Sequence, residues 1–266
     1  MHITKLRDDV HVLVGDCYGA NSTLFLDGDE ALLVDGMGSR ADASQLKRYV
    51  EETLGAQVRF LIMTHYFSDH MAALALFPRA QIVAHENAVH TFAFERHRSA
   101  EEEAHFVAPT ITFSGPLTMR WGRYSLELFP NPGHTMSTIA IDVPELDVLF
   151  TGDTLVGNIV YLAYGAPEML DRALRQLRMR GRTSVIASHD AVRDAASIGH
   201  ATHYLARLRE ASLAAFESDE SRIAAISIEE CLPAGVAPTD FERVFHGRNL
   251  EAIREQRLFI ATAKRG

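Results

Sequence analysis

The stretch MTHYFSDHMAAL, Met63–Leu74, joins a predicted strand to an apolar segment and carries three residues that can bind metal. His65, Asp69 and His70 supply imidazole and carboxylate groups, which suit zinc, iron, manganese and related divalent ions. Phe67 stands where a second imidazole would complete a His-x-His-x-Asp-His cluster. The stretch therefore predicts a metal site at the end of a strand, with one ligand replaced by an aromatic ring.

The first 35 residues predict strands alone, whereas strands alternate with helices in the rest of the chain. An amphipathic helix over Ala41–Leu54 leads to the strand Val58–Thr64. The further predicted helices are Met71–Phe77, Pro167–Arg180, Ile198–Phe216 and Thr239–Thr262. Two runs of strands with helices outside them predict an α/β fold, a four-layer α/β/β/α sandwich. We expect a single domain, with a sandwich core over residues 1–195 and a C-terminal helical cap over residues 196–266.

Three other predicted strands are followed at once by a histidine or an aspartate. His134 lies in PNPGHTMST, Asp153 in VLFTGDTL and His189 in VIASHDAV. Side chains at strand ends lie on short loops at one rim of a sheet, where several can converge on one point. Each motif alone is weak, because a single loop histidine is most often a surface or hydrogen-bonding residue. The order and placement of all of them together predict a metal centre.

At these residues the chain resembles the metallo-β-lactamase superfamily, which includes glyoxalase II, lactonases, RNase Z and a persulfide dioxygenase. The resemblance covers roughly Val10 to Asp190. It implies two neighbouring metal sites, whose ligands would be His65 and His134 in the first, Asp69, His70 and His189 in the second, and Asp153 between them. It also implies that Asp35, in LLVDG, supports the ligand loops from behind.

Phe67 departs from the family pattern, because it occupies the position of the remaining first-site histidine. His65, His134 and Asp153 still make a set of three, and catalytic zinc sites often use three protein ligands and keep a fourth position for water. Two histidines and one carboxylate also match the facial triad of non-haem Fe(II) oxygenases. We expect the ring of Phe67 to lie against the second site and to lower the local dielectric there.

Three functions are consistent with these residues, and the resemblance favours the first. The first is a hydrolase with one or two metal ions, zinc before Fe2+ or Mn2+, whose bound hydroxide attacks an ester, lactone, thioester, amide or phosphoester. Asp69 would be its catalytic residue, because it would both bind metal and steer the hydroxide. The second is a mononuclear iron dioxygenase, which oxygen consumption would reveal. The third is a non-catalytic binding protein, which absence of metal after purification with zinc would favour.

Three tyrosines are candidates for the substrate pocket. Tyr66 borders the ligands in sequence, and Tyr161 and Tyr164 lie in GNIVYLAYGAP, which is too apolar for an exposed loop. A buried phenol needs a hydrogen-bond partner, which a substrate carbonyl could provide; a place in the wall or core is the alternative. We expect Ile198–Phe216 to roof the pocket. His85 could replace the missing ligand, but a histidine at the start of a helix or on the surface is the favoured interpretation.

Composition limits the partners of this chain of 266 residues. The formal net charge of −9 argues against nucleic acid or an anionic membrane as the main partner, so we expect a small-molecule substrate. No run approaches the roughly 18 apolar residues of a spanning helix, and the N-terminus lacks the apolar core of a signal peptide. We therefore expect a cytoplasmic protein with Cys17 and Cys231 reduced. The acidic run His97–Phe106 is expected to be a solvated helix face; the oligomeric state is open, a homodimer included.

Overall fold

Two β-sheets face each other in the computed structural model, which describes residues 1–95 and 98–260. The first sheet has seven strands in the order of the sequence. They are β1 (His2–Arg7), β2 (Val10–Val14), β3 (Asn21–Asp27), β4 (Glu30–Val34), β5 (Gln57–Ile62), β6 (Gln81–His85) and β7 (Ile111–Phe113). Strands β1 to β4 pair antiparallel, and β4 to β7 pair parallel. The parallel strands therefore end at one edge, and Asp35, His65 and His85 lie there.

The second sheet has six strands in the order β13-β12-β11-β10-β9-β8. They are β8 (Leu117–Trp121), β9 (Tyr124–Pro130), β10 (Ile139–Val143), β11 (Val148–Phe150), β12 (Ser184–Ile186) and β13 (Arg193–Asp194). Strands β11 and β12 are parallel neighbours, so the loops that follow them leave the sheet at the same edge. Those loops carry Asp153 and His189.

Seven α-helices lie in the described part of the chain. They are α1 (Arg40–Arg48), α2 (Ala88–Phe94), α3 (Ala100–Glu103), α4 (Pro167–Arg178), α5 (Ala196–Ser218), α6 (Ile228–Cys231) and α7 (Asp240–Gln256). A π-helical turn, Tyr49–Thr53, extends α1 over the rest of the predicted helix. Helix α7 ends at Gln256, where Arg257 takes a left-handed φ of 51°. The last two residues of the predicted helix Thr239–Thr262 lie outside the described residues, as does His97.

The α-helix predicted over Met71–Phe77 is wrong. The segment contains one short 3₁₀ turn, Leu74–Leu76, and another, Ser68–His70, lies just before it. Its backbone N–H groups are drawn away from a helical pattern, because Ala73 donates to the carbonyl of Gly36 at 2.7 Å. The segment is thereby fixed to the loop that follows β4 and keeps only the short-range bonds of the 3₁₀ turn.

Three hydrophobic clusters define the layers. The first lies between the sheets and contains Phe25 and Phe150. The second joins α1 to the outer face of the first sheet, with Leu46 and Leu61 among its buried members. The third joins α4, α5, α6 and α7 to the outer face of the second sheet, and Tyr204 is completely buried in it. The predicted four-layer α/β/β/α sandwich is confirmed, and the C-terminal helices pack within its outermost layer.

Both cysteines are free, with Cys17 partly exposed and Cys231 buried. Over residues 1–95 and 98–260, no helix combines the length and the apolar character needed to cross a lipid bilayer.

Candidate metal centre

Six side chains with metal-binding groups converge at one rim of the sandwich. His65 follows β5, His134 follows β9, and the 3₁₀ turn after β5 carries two more. The full set is His65, Asp69, His70, His134, Asp153 and His189. All are buried except Asp69, whose side chain is 25% exposed. The structure thus brings together every residue that the sequence predicted as a ligand.

The six side chains form two groups of three. His65, His134 and Asp153 make the first group, and Asp69, His70 and His189 make the second. Within each group the candidate ligand atoms lie within 4.8 Å of one another. Each group combines imidazole and carboxylate, the donors that zinc, iron and manganese accept.

Asp153 lies between the two groups. Its Oδ2 atom is 3.8 Å from Nε2 of His65, 3.6 Å from Nε2 of His70 and 3.2 Å from Nε2 of His189. One carboxylate oxygen therefore reaches imidazoles of both groups, which is the position expected of a shared ligand.

Several ring nitrogens of the centre are buried without a hydrogen-bond partner among the described residues. These atoms are Nε2 of His65 and both ring nitrogens of His70 and His134. Oδ1 of Asp153 is likewise buried without a hydrogen-bond partner among the described residues. A buried polar group without a partner costs free energy, and native proteins pair nearly all of them. A divalent cation would supply the missing partner, so these residues fit a metal.

The protonation of the second group is set by its carboxylates. Burial by itself would lower the pKa of His70, but Asp69 and Asp153 outweigh it and raise that pKa to about 10. Burial also works against a charged His189, and Asp153 again raises its pKa. Burial alone would raise the pKa of Asp153, yet His189 and His70 hold it well below its usual value. His70 thus carries a proton at neutral pH, which a bound metal cation would replace.

The first group is less favourable to protons. Burial, with the nearby His70, holds the pKa of His65 well below its usual value. Burial also lowers the pKa of His134. Both imidazoles are therefore neutral at pH 7, which is the state that binds metal.

Asp35 fastens the two loops that carry His65 and His189. Its Oδ1 accepts the backbone N–H of Thr64 at 2.8 Å, and its Oδ2 accepts the hydroxyls of Thr64 and Ser188 at 2.8 and 2.9 Å. Thr64 and Ser188 immediately precede the two histidines. Oγ1 of Thr64 also lies 3.1 Å from Nδ1 of His65, which leaves Nε2 of that ring for a metal.

His189 is oriented from the loop between β2 and β3. Its Nδ1 donates to the carbonyl of Tyr18 at 3.0 Å. Asn21 holds the same loop in place, because its Nδ2 donates hydrogen bonds to the carbonyls of Ala187 and Asp190, each at 2.7 Å. Asn21 could not be recognised from the sequence, because its partners lie 166 and 169 positions away.

Ser68, inside the ligand turn, is hydrogen-bonded to Glu95 and His105, two residues that no sequence motif marked as functional. Glu95 accepts its backbone N–H at 3.0 Å and its hydroxyl at 2.7 Å, and Nδ1 of His105 donates to its carbonyl at 3.0 Å. Burial raises the pKa of Glu95 to about 6. The expectation of a solvated face over His97–Phe106 is therefore wrong at His105, which is buried because it supports the turn.

Phe67 lies against the first group. Its ring centroid is 5.4 Å from that of His65, 5.2 Å from that of His134 and 4.8 Å from that of Tyr164. The expectation that it would lie against the second site is wrong. The side chains of His65 and Phe67, two positions apart, both face the first group, and Phe67 itself has extended φ and ψ, so this short stretch shows strand-like alternation.

The same alternation explains why the predicted pocket role of Tyr66 is wrong. Tyr66 lies between two residues that face the centre, so its own side chain points the opposite way. It is completely buried in the core beneath the first sheet, where its ring contacts Phe106 and its hydroxyl donates to the carbonyl of Val107.

Tyr161 and Tyr164 both lie beside the first group. The ring of Tyr161 is 5.8 Å from that of His134, and the ring of Tyr164 contacts Phe67. Gly165 fixes this segment, because a Cβ at that position would lie only 1.7 Å from the carbonyl oxygen of Gly133. Only glycine permits so close an approach of the tyrosine segment to the loop of His134.

His85 and the segment Ile198–Phe216 both lie outside the two metal-binding groups. Nδ1 of His85 accepts the backbone N–H of Asn87 at 3.1 Å where α2 begins, and His85 belongs to neither metal-binding group. A cavity lined by Phe67, Tyr164 and residues of α2 lies beside the centre. No residue of α5 borders this cavity, so the predicted roof over Ile198–Phe216 is wrong. Helix α7 approaches instead, with the ring of Phe241 5.1 Å from that of His189.

The chain belongs to the metallo-beta-lactamase superfamily, whose family model matches residues 15–206. A curated relative, metallo-beta-lactamase domain-containing protein 1 of Xenopus laevis, is 29% identical over 153 residues. That match covers 54% of this chain and 60% of the relative.

Solved structures share the fold. A metallo-beta-lactamase from Pontibacter korlensis aligns with a TM-score of 0.62 at 20% identity, over 74% of this chain and 95% of its own. A metallo-beta-lactamase from Erythrobacter litoralis, solved with beta mercaptoethanol in its active site, aligns with a TM-score of 0.58 at 19% identity. That alignment covers 74% of this chain and 92% of the other. These likenesses establish the sandwich, and the superfamily consists mainly of metal-dependent hydrolases, which makes this chain a candidate enzyme.

Proposed function

We propose that the protein is a metal-dependent hydrolase of a small molecule. The observation that supports this most strongly is the cluster of buried, unpaired ligand atoms around Asp153, because a cation would bind one nitrogen of each imidazole together with the shared carboxylate. The substrate bond is an ester, lactone, thioester, amide or phosphoester.

His65, His134 and Asp153 would hold one ion, and Asp69, His70 and His189 would hold a second. We propose zinc in one or both groups, since imidazole and carboxylate suit it. A bound zinc ion supplies a water ligand with a pKa lowered to about 7 and a Lewis acid for the scissile oxygen. Asp35 and Ser188 keep the ligand loops in register while this chemistry proceeds.

Asp69 is proposed as the residue that handles the proton. Its carboxylate oxygens lie 3.4 Å from Nε2 of His70 and 3.7 Å from Nε2 of His189, yet its side chain remains partly open to solvent. Hydrolysis adds the oxygen of water to the acyl or phosphoryl centre and breaks the bond to the leaving group. Asp69 Oδ1 or Oδ2 would take a proton from that water and pass it to the leaving group.

The substrate is proposed to be a small molecule rather than a nucleic acid. The net charge of −9 disfavours a polyanion, and the cavity beside the first group has a volume of about 320 Å³. Such a volume lies at the lower end of the range for small-ligand pockets. The cytoplasm, where Cys17 and Cys231 would stay reduced, is the proposed compartment.

A panel of lactones, thioesters, aryl esters and phosphodiesters tests the proposed function. With zinc present, at least one substrate should be hydrolysed, and a chelator should abolish the turnover. An Asp69→Asn variant that still binds zinc should lose most of that turnover, because the amide cannot take the proton. If zinc-loaded protein hydrolysed none of these substrates, the proposal would be contradicted.

An iron dioxygenase is the second candidate, because His65, His134 and Asp153 have the composition of a facial triad. Protein loaded with Fe(II) would then consume oxygen in the presence of a thiol or persulfide. Hydrolysis without oxygen uptake would exclude this candidate.

Zinc binding is expected to release protons at neutral pH. Because Asp69 and Asp153 raise the pKa of His70 to about 10, that imidazole is protonated at pH 7, and a metal ion must displace its proton. The affinity of the second group for zinc should therefore rise with pH up to about 10 and fall as the pH is lowered. Calorimetric titration at pH 7 in two buffers with different ionisation enthalpies should detect at least about one proton released per chain. An affinity unchanged between pH 6 and 8 would contradict this assignment.

A further inference from the structure

Two of the three candidate ligands in the second metal-binding group come from one short turn. Asp69 and His70 both lie in the 3₁₀ turn Ser68–His70, whereas His189 follows β12. The two backbone hydrogen bonds that the turn makes locally are 3.1 and 3.3 Å long, at the weak end of the usual range. Contacts from outside the turn must therefore fix where its two ligands lie.

Every polar group of Ser68, the first residue of this turn, is bonded to the segment between β6 and β7. Glu95 accepts its backbone N–H at 3.0 Å and its hydroxyl at 2.7 Å, and His105 donates to its carbonyl at 3.0 Å. Ser68 is only 1% exposed, so water could not replace these partners without a change of structure. The position of Ser68, directly before Asp69, thus depends on Glu95 and His105.

The burial of His105 serves this contact. The residue is 5% exposed, and its Nε2 atom is buried without a hydrogen-bond partner among residues 1–95 and 98–260. A buried polar atom without a partner costs free energy. The bond from Nδ1 to the carbonyl of Ser68 is the contact that offsets this cost.

Arg98 holds the Glu95 side chain in place. Its guanidinium donates to the carbonyls of Phe92 and Glu95 and lies 3.9 Å from the Glu95 carboxylate. It also stacks on the ring of Phe92 at 4.2 Å and pairs with Glu103, at the end of α3, at 2.7 Å. The side chains of Arg98 and Glu95 are 15% and 10% exposed, so solvent screens this pair little. A carboxylate held in this way fixes the turn rather than following it.

We propose that Glu95 and His105 are positioning residues that set the affinity of the second group for its metal ion, acting through Ser68. Their effect passes along the backbone to Asp69 and His70, the next two residues of the turn. This inference rests on the proposed function, because it concerns how the same metal centre holds one of its ions.

The first group is held by other contacts. His65 directly follows Thr64, whose N–H and hydroxyl are bonded to Asp35, and the other two ligands lie on loops of the second sheet. Loss of the contacts at Ser68 should therefore weaken one metal-binding group and spare the other. This selectivity distinguishes a positioning role from a general contribution to folding.

Two single-group variants of the full chain allow the test. His134→Ala leaves only the second group complete, and His70→Ala leaves only the first. Zinc affinity, measured by competition with a chromophoric chelator, then belongs to a known group. In the His134→Ala protein, Glu95→Ala should weaken zinc binding about 10–100-fold, the usual effect of removing a residue that supports a ligand. In the His70→Ala protein it should change the affinity less than about twofold.

Conservative variants should restore binding. Glu95→Gln keeps an oxygen that accepts the N–H of Ser68, so it should recover most of the affinity that Glu95→Ala loses. His105→Asn places an amide donor near the position of Nδ1 and should bind zinc nearly as the parent does, whereas His105→Leu should lose at least about tenfold. Glu86→Ala is the matched control, because it removes the same charge from an exposed residue directly after β6, and it should change neither affinity.

An equal loss in both single-group proteins would show that Glu95 serves the fold as a whole. Unchanged binding after Glu95→Ala in the His134→Ala protein would show that the turn holds itself. Either result would overturn the inference while the metal centre stood. If Glu95→Ala does not fold, the comparison of His105→Leu with His105→Asn decides in the same way. If the unaltered protein and both single-group proteins bound no zinc, the proposed metal centre would fall, and the inference with it.

Discussion

Asp153→Asn should remove metal from both groups at once. The amide keeps the shape of the side chain but loses the negative charge that lies within 3.8 Å of His65, His70 and His189. Removing a residue that merely supports a ligand costs about 10–100-fold in metal affinity, and loss of a shared ligand should cost more than that. Elemental analysis after dialysis should find far less than one zinc per chain, and turnover should fall in proportion.

Asp171→Asn provides the control for this experiment, because Asp171 is an exposed carboxylate of α4 paired with Arg175. It should retain full metal content and activity. His70→Ala and His189→Ala should each empty the second group alone and leave about one ion per chain. Full metal content in Asp153→Asn would show that the carboxylate does not serve both groups.

Phe67→His should raise the metal content toward two ions per chain. The new imidazole would occupy the place of a ring whose centroid is 5.4 Å from that of His65 and 5.2 Å from that of His134, so it adds a ligand to the first group. Without metal, a buried imidazole in place of a buried phenyl ring should lower the free energy of unfolding by about 2–4 kcal/mol. Zinc should restore much of that loss, because it binds only the folded state.

Phe67→Leu separates the packing effect from the ligand effect. Leucine keeps the site apolar, so it should lower the free energy of unfolding by about 1–2 kcal/mol with no change in metal content. Thermal unfolding with and without zinc measures both variants. A folded Phe67→His protein with the metal content of Phe67→Leu would show that residue 67 does not reach the first group.

Four of the six ligands could be predicted from local pattern because each follows a strand almost directly, and the other two lie in the motif that begins with His65. A short strand of apolar residues is readable from sequence, and the side chain next to its end is carried to the rim wherever the strand lies. His134, Asp153 and His189 are all of this kind. Asp35 follows the same rule at the end of β4, and the resemblance to the family gave its supporting role.

Residues whose role depends on distant parts of the chain were not predictable. Asn21 is separated from the carbonyl of Ala187 by 166 positions, and Glu95 reaches Ser68 only because α2 ends beside the ligand turn. The helix over Met71–Phe77 was predicted wrongly because a local pattern cannot show that backbone N–H groups of this segment donate to carbonyls of the loop after β4.

The contact between Gly165 and Gly133 links the tyrosine segment to metal retention. The two backbones touch where a methyl group would not fit, so any side chain at position 165 would have to push the loop of His134 away. Displacing that loop would move a ligand of the first group. Lineages that diversify the walls beside the centre should therefore keep this glycine as long as they keep the metal.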